Sequence, residues 1–174
     1  MKKSDELFKS DMARYESGSA DKWTRKFLYY FRKVNNSGKI MNYWYRLRYR
    51  SVCDKHGIEI PRSVAVGKGF YIGHPYNITI NKDAVLGENV NIHKGVTIGR
   101  ENRGKRKGAP VIGNQVWFGI NSAVVGNIKI GDDVLIAPNS YVNCDVPSHS
   151  VVIGNPCKII SKENATQDYI NRTV

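Results

Sequence analysis

Cysteine is scarce in this chain, which contains only Cys53, Cys144 and Cys157. The three are odd in number and form no C-x-x-C pair, which argues against a disulfide framework and against a zinc ribbon. Long apolar runs are also lacking, since no stretch approaches the roughly 20 apolar residues that a transmembrane helix needs. The opening MKKSDELFKSD has no apolar segment of the kind found in signal peptides. We therefore expect a cytoplasmic protein with reduced thiols.

Acidic charge is sparse as well, with 15 Asp and Glu against 27 Lys and Arg. The excess of positive charge is local. Residues 1–57 carry 14 basic and six acidic residues, and the segment RENRGKRK at 100–107 carries five and one. The remainder of the chain is balanced, so a polyanionic partner would meet these two places. With 174 residues, 41% of them hydrophobic, the chain is long enough to fold around one core.

The sequence does contain a repeat of six residues. A strand alternates with period two and a helix with period 3.6, so a strict period of six indicates short strands joined by tight corners. Three such hexads form one triangular coil, which predicts a mainly β protein, a parallel β-helix. A β-sandwich is disfavoured because its strands recur every 8–12 residues or so. The repeated bulky positions are Ile60, Val66 and Ile72, then Ile80, Leu86, Ile92 and Ile98, then Ile112, Phe118, Val124, Ile130, Ile136 and Val142.

The longer of two interruptions in this repeat separates Ile98 from Ile112. It holds the basic segment RENRGKRKGAP, which cannot pack in an apolar column. We predict that residues 100–110 leave the coil as a loop. Loops extruded from solenoids usually shape a binding face.

The shorter interruption adds two residues between Ile72 and Ile80. The added length must bulge, so the segment His74–Asn77 can project from a corner where a regular coil would lie flat. Proteins often place such bulges beside active sites. This makes His74 the first candidate for a catalytic residue.

Two segments before the repeat, ADKWTRKFLYYFRKV and KIMNYWYRLRYRSVCDKHG, carry aromatic and aliphatic residues at helical spacing and are separated by NNSG. We predict that residues 1–57 form a helical segment that caps the first coil, because the end of a solenoid must be covered. The coil would then span residues 58–156, and residues 157–174 would form a tail. Cationic aromatic helices can instead lie on an anionic membrane or on RNA, and we favour the capping interpretation over both.

Four segments resemble the serine acetyltransferase branch of the hexapeptide-repeat acyltransferases: IGHPYNITIN, NIHKGVTIG, PVIGNQVWFGINSAVVGNIKIG and DVPSHSVVIGNPCKII. The resemblance covers roughly residues 58–160. It implies a left-handed coil, acetyl-coenzyme A as acetyl donor, a homotrimer with sites between subunits, and direct transfer without an acyl-enzyme. It also implies that His74 is the catalytic histidine and that a carboxylate fifteen positions earlier, at Glu59, orients it.

The sequence departs from that family at several positions. The residue before the catalytic histidine is usually Asp there and is Gly73 here, and an Arg-His-Pro motif after the loop reads Gly108-Ala109-Pro110. The N-terminal segment is shorter and looks more like that of polysaccharide O-acetyltransferases. We therefore expect a saccharide hydroxyl as the acceptor, with serine O-acetyltransferase as the alternative.

Acetyl transfer to a hydroxyl needs a base, and imidazole titrates near the working pH, so His74 suits this role. Glu59 would accept the other imidazole N–H and fix the tautomer, unless it is simply a solvated residue. His93 follows a column residue one coil later, and it either contacts the acceptor or merely occupies a corner. The candidates for acceptor binding are His93, Tyr76, Asn77 and Trp117.

The donor would lie along the stacked corners, with its phosphates near cations. The candidates for binding it are Gly119, Ala137, Pro138, Lys158, Arg103, Lys105 and Arg106. We expect no metal, because the sequence lacks the three histidines that β-helix carbonic anhydrases use. A trimeric scaffold or a basic nucleic-acid-binding module is the alternative outside the enzymes, although we do not expect nucleic acid as a partner.

Overall fold

The computed structural model of this chain describes residues 3–16, 19–34 and 38–174. Three helices come first: α1 (Lys3–Ala13), α2 (Lys22–Lys33) and α3 (Lys39–His56). The strands that follow are β1 (Ala65–Val66), β2 (Tyr71–Gly73), β3 (Thr79–Ile80), β4 (Val85–Leu86), β5 (Asn91–His93), β6 (Thr97–Gly99), β7 (Val111–Ile112), β8 (Val116–Phe118), β9 (Ala123–Val125), β10 (Lys129–Ile130), β11 (Val134–Ile136), β12 (Tyr141–Val142), β13 (Ser150–Ile153) and β14 (Lys158–Ser161).

The strands form three sheets, which are the three faces of a prism. The first face has the order β1-β4-β7-β10, the second β2-β5-β8-β11-β13-β14, and the third β3-β6-β9-β12. All neighbours pair in parallel except β13 and β14, which are antiparallel. Neighbouring strands come from successive coils, so the fold is the predicted parallel β-solenoid of hexapeptide repeats. Its left-handedness stays a prediction.

The predicted column of bulky residues forms the core. Ile72 pairs with Ile92, Leu86 with Ile112, and Ile98 with Val124. Every member of the column is buried except Val66, which is partly buried. Because side chains alternate along a strand, the residue two positions earlier also points inward. This second column was not predicted, and its apolar members include Phe70, Ile78, Val90, Val96, Val116 and Val134.

The corners are built from residues with left-handed backbone. Such dihedrals are readily adopted by Gly and are several times commoner for Asn and Asp than for other residues. From the second coil onward they stack on one another, because the amide of each donates to a carbonyl in the previous coil, as Asn121 N does to Lys94 O at 3.1 Å. Between the first and second faces the column is Gly69, Asn89, Gln115, Asp133 and His149; between the second and third it is Gly57, Asn77, Gly95, Asn121 and Asn139.

The helices close the open end of the first coil. Phe31 of α2 packs 6.4 Å from the ring of Phe70. The buried guanidinium of Arg32 binds Asp11 of α1 through two hydrogen bonds of 2.7 and 2.9 Å and also donates to two carbonyls of the first coil. The sequence patterns predict α2 and α3 but not α1, whose buried positions carry the polar Ser4 and Asp11. Most of the predicted NNSG break falls on residues 35–37, outside the described residues.

Side chains from the end of α1 pair with strand β2, which has no coil before it. Asp11 accepts the amide of Phe70 at 2.9 Å, and the hydroxyl of Tyr15 accepts the amide of Ile72 at 2.7 Å. The same hydroxyl lies 3.1 Å from the carbonyl of Ile72, to which it donates. The edge of the second face is therefore satisfied by side chains instead of by another strand.

The last residues run back along the second face. Asp133 accepts hydrogen bonds from the amides of Ala165 and Thr166, both at 2.9 Å, and from the Thr166 hydroxyl at 2.6 Å. Burial raises the pKa of Asp133, but these hydrogen bonds and one from His149 outweigh it and hold the pKa below its usual range. Further on, the side chain of Asn89 exchanges two hydrogen bonds with the backbone of Val174.

Across the three described ranges, no helix is long and apolar enough to span a bilayer.

Candidate functional site

His74 lies at the corner between the second and third faces, where β2 leads into β3. One coil later the same corner is occupied by Lys94 and Gly95, and Gly95 N donates to Tyr76 O at 3.1 Å. Tyr76 and Asn77 therefore occupy the regular corner positions of the first coil. His74 and Pro75 are the two inserted residues, at the place where the sequence loses its register.

The backbone of His74 is strained. Its φ is 60°, and Tyr76 N donates to His74 O at 2.8 Å, which closes a tight turn. Within residues 58–161, all of which the structure describes, His74 is the only non-glycine residue with positive φ outside the two corner columns. This conformation costs about 1 kcal/mol or more, and such strain clusters at functional sites. Its imidazole is exposed to solvent, beside the buried Pro75.

Glu59, the predicted partner of His74, lies beside the start of β3. Its amide donates to Ile78 O at 2.7 Å, and its carbonyl accepts from Ile80 N at 2.9 Å. Its side chain is exposed. Among the described residues, no hydrogen bond joins Glu59 to His74, so its role in orienting the imidazole stays a prediction.

His93 is held more firmly than His74. Its Nδ1 lies 2.8 Å from Phe118 O, and a carbonyl can only accept, so Nδ1 carries the proton. The neutral ring therefore presents Nε2 as an acceptor. Burial lowers the pKa of His93 below its usual value, and the charge of nearby His74 lowers it further, although the hydrogen bond to Phe118 opposes both.

The ring of His93 packs directly over Gly73, its register partner in the previous coil. A Cβ added to Gly73 would lie 2.5 Å from Cδ2 and 2.8 Å from Nε2 of His93. Any side chain at position 73 would therefore displace this imidazole. The residue type at position 73 and the placement of His93 are coupled.

His93 also lines a pocket of about 310 Å³ on the second face. Its ring centroid lies 4.9 Å from that of Trp117, which in turn lies 5.0 Å from Tyr169. The structure thus brings two predicted acceptor-binding candidates, His93 and Trp117, to one pocket. Sequence reasoning missed the other walls. Two of them, Tyr71 and Asn91, belong to the coil, and the rest come from the segment that follows α1 and from the tail: Arg14, Tyr15, Glu16, Ser19, Tyr169, Asn171 and Arg172.

The other two acceptor-binding candidates, Tyr76 and Asn77, lie at the His74 corner. Tyr76 is 45% exposed, and its ring lies 4.8 Å from that of the buried His56. Asn77 belongs to the left-handed corner column, and its Oδ1 approaches Gly57 so closely that an added Cβ there would lie 2.6 Å away. Asn77 therefore has a structural role at this corner.

Three donor-binding candidates meet at one edge. Gly119 follows β8 as Ala137 follows β11, so the two lie in neighbouring coils at the edge that carries His74. A Cβ on Gly119 would lie only 2.5 Å from Pro138 N, so the two coils approach closely here. Because glycine has no side chain, the backbone at this edge forms a flat strip. Lys158 is exposed on β14, where it pairs with Ile153; because Val152 pairs with Ile136, this puts Lys158 at the same edge, two strands beyond Ala137.

The basic loop leaves the coil at a different edge, between the third and first faces. Two hydrogen bonds of 2.9 and 3.0 Å between Glu101 and Gly108 close it, and Asn127 N donates to Arg106 O at 2.9 Å. Its exposed cations, Arg103, Lys105 and Arg106, are separated from the His74 edge by the whole third face. One chain therefore does not bring all the predicted residues together. In the described residues no group of three metal-binding side chains occurs.

Residues 109–144 match the sequence model described as bacterial transferase hexapeptide (six repeats). Together with the stacked coils, this match identifies a hexapeptide-repeat protein similar to transferases. Similar protein sequences point to one kind of transferase, the serine acetyltransferases. Over 107 residues the chain is 37% identical to a serine acetyltransferase of Helicobacter pylori, covering 62% of this chain and 63% of that protein.

Solved structures of serine acetyltransferases are also similar to this chain. A serine acetyltransferase isoform of Entamoeba histolytica in complex with cysteine superposes with a TM-score of 0.72 at 25% identity, covering 95% of this chain and 64% of that one. The Neisseria gonorrhoeae enzyme in complex with serine gives 0.69 at 28% identity, covering 91% and 69%. The chain thus spans about two thirds of the length of these relatives.

These relatives overturn the expected saccharide acceptor, and the sugar O-acetyltransferase branch with it, because they are serine acetyltransferases. The expectation rested on Gly73, on Gly108 and Ala109, and on the short N-terminal segment. The structural match to the Entamoeba enzyme extends over 95% of this chain, which includes helices before the coil. Gly73 has a packing explanation of its own, since it makes room for His93.

Proposed function

We propose that the chain is a serine O-acetyltransferase that transfers acetyl from acetyl-coenzyme A to the hydroxyl of L-serine. The observation that carries the proposal is His74, a strained and exposed histidine at the two-residue insertion in an otherwise regular coil. The similarity to serine acetyltransferases supports the choice of acceptor.

The chemistry needs one base. The imidazole of His74 takes the proton of the serine hydroxyl while that oxygen attacks the thioester carbonyl. The tetrahedral intermediate then collapses and its C–S bond breaks. The imidazolium returns its proton to the departing sulfur, which leaves O-acetylserine and coenzyme A. Glu59 is proposed to stabilise the imidazolium, as the carboxylate does in hydrolytic triads.

We further propose that the working unit is a cytoplasmic homotrimer. The His74 edge and the loop edge lie on opposite sides of the third face, so a neighbouring copy is needed to bring the loop to His74. The pantetheine arm would lie along Gly119, Ala137 and Pro138, where no Cβ stands between the two coils at Gly119. Its phosphates would bind Lys158 and the cations of the 100–110 loop.

The test is thiol release from acetyl-coenzyme A with L-serine, comparing His74→Asn with His149→Asn. His149 is a matched control because it is also an exposed corner histidine with left-handed backbone, φ 56°. Asn tolerates that backbone, so each substitution removes an imidazole without adding strain. We expect His74→Asn to lower kcat by about 10²–10⁴-fold and His149→Asn to leave it nearly unchanged.

Equal rates in the two variants would remove His74 from the role of base. Absence of turnover with L-serine by the unmodified protein, at saturating acetyl-coenzyme A, would overturn the proposed function itself.

A further inference from the structure

We propose that Nε2 of His93 binds the ammonium group of the amino acid acceptor, beside the His74 corner. This inference rests on the proposed function, since it assigns a recognition residue for serine. It makes His93 a specificity-determining residue and leaves the role of base to His74.

The first support is placement. His93 pairs in register with Gly73, the residue directly before His74, and its ring occupies the space over that glycine. The imidazole therefore lies on the outer surface of the second face, one coil from the inserted corner. A small acceptor whose hydroxyl reaches His74 has its other groups within reach of this surface.

The second support is the fixed tautomer. Nδ1–H donates to Phe118 O, so the neutral ring has one remaining nitrogen, Nε2, with a lone pair. Nε2 has no hydrogen-bond partner among the described residues, and it is not fully buried. It is therefore an acceptor that is open to the pocket. An ammonium group has three donors and no acceptor, which is the complementary inventory.

The third support is the surrounding pocket, which favours a small zwitterion. The rings of Tyr71 and Trp117 flank His93, and aromatic faces attract cations. At the rim Glu16 forms an ion pair of 2.7 Å with Arg172, so both signs of charge are present. Arg14 is committed elsewhere, because its guanidinium donates to Gly69 O, Asn91 Oδ1 and Asn171 O.

The first experiment compares His93→Phe with His93→Gln in the full-length protein. Phe keeps an aromatic ring against Trp117 and removes both nitrogens, whereas the Gln amide can return an acceptor near the position of Nε2. We expect Phe to raise the KM for serine by about tenfold to a hundredfold, the scale of one hydrogen bond to a charged group. The KM for acetyl-coenzyme A should stay constant, and Gln should recover part of the loss.

A second route leaves His93 in place. Gly73→Ala puts a Cβ 2.5 Å from the imidazole and should displace it, so its serine KM should rise as in His93→Phe. Gly99→Ala is the matched control, because Gly99 also follows a column residue at the end of a strand, but its added Cβ makes only ordinary contacts, with Val125 at 3.4 Å and Thr97 at 3.8 Å. That variant should keep the KM of the unmodified protein.

A measurement on the unmodified protein removes any dependence on folding of the variants. With ¹⁵N-labelled histidine, L-serine should shift the Nε2 resonance of His93, and 3-hydroxypropanoate, which lacks the ammonium, should not. Equal shifts with both ligands, or an unchanged serine KM in both His93→Phe and Gly73→Ala, would overturn this inference. The proposed function would still stand if the unmodified protein acetylates serine. Failure of the unmodified protein to acetylate serine would overturn both.

Discussion

The corner at His74 and the corner one coil later occupy the same edge of the prism, yet they differ in length and in strain. The later corner turns in six residues through Gly95, and the next turns through Asn121, residue types that adopt left-handed backbone easily. The first corner keeps an equivalent residue, Asn77, and adds His74 and Pro75 before it. The regular corners provide a rigid repeat, and that rigidity holds His74 in place with its strained backbone at the irregular corner.

The largest expected effect comes from making the His74 corner as short as the corners that follow it. Deleting His74 and Pro75 restores six-residue spacing between Ile72 and Ile80, so the corner should close like the one that follows it. We expect circular dichroism to show a retained fold, while serine acetylation falls by at least about 10²-fold. A deletion variant that acetylates serine at the original rate would show that the insertion is not the site.

The next effect concerns the helices that cover the first coil, which contains the His74 corner. Asp11→Ala leaves the buried guanidinium of Arg32 without its carboxylate, which typically costs about 3–5 kcal/mol. Urea unfolding should show this loss. Asp54→Asn is the control, because its partner Arg50 lies 3.6 Å away and both side chains are exposed, so that pair contributes about 0–1 kcal/mol. Similar losses in the two variants would mean that the helices do not stabilise the first coil through Asp11.

A smaller effect is expected at the strand that leads into the irregular corner. Tyr15→Phe removes the hydroxyl that pairs with both backbone groups of Ile72 and leaves a buried amide unsatisfied, at a cost of about 1–3 kcal/mol. Because Ile72 is two residues from His74, acetylation should also fall by a few-fold. Tyr141→Phe, on the third face, serves as the control in the same melting and rate assays. A loss of stability with full activity would separate this strand from the site.

The smallest effect is a change with pH. Protonated His93 would donate from both nitrogens and could no longer accept from an ammonium group. Since burial and the charge of His74 lower the pKa of His93, the serine KM should rise only as the pH falls below the ordinary imidazole value of about 6.5, and His93→Gln should lack this rise. A rise that persists in His93→Gln would assign it to another group. The charge of His74 acts on His93, and the other titratable groups that line this pocket are Arg14, Tyr15, Glu16, Tyr71, Tyr169 and Arg172.

The same contrast between regular and irregular parts explains what the sequence could predict. The column through Ile92 and Phe118 follows from spacing, because each side chain packs on the equivalent residue of the next coil. The inserted corner at His74 follows for the same reason, since a fixed period makes any departure visible. The helix α1 carries no such signal: its buried positions are the polar residues Ser4 and Asp11, and Asp11 is satisfied by partners distant in sequence, Arg32 and the amide of Phe70.

The pocket was only half predictable. His93 and Trp117 lie on neighbouring strands of one face, so their meeting follows from the register of the coils. Arg14 and Tyr169 reach the same pocket from the segment after α1 and from the tail, and no periodicity links those segments to the coil. The saccharide acceptor, predicted from Gly73, from Gly108 and Ala109 and from the short N-terminal segment, was wrong. In the fold Gly73 is the space into which His93 packs, which spacing along the sequence does not reveal.

The returning tail has a consequence for how the chain folds. In a simple stack each coil contacts only its neighbours, so unfolding can begin at either end and spread coil by coil. Here Arg14 donates to Asn171 O across 157 residues of sequence, and Arg172 pairs with Glu16 across 156. These contacts join the segment after the first helix to the last segment, so the outer coils should melt together in one cooperative transition. They also raise the contact order, and the final docking of the tail should be a slow step in folding.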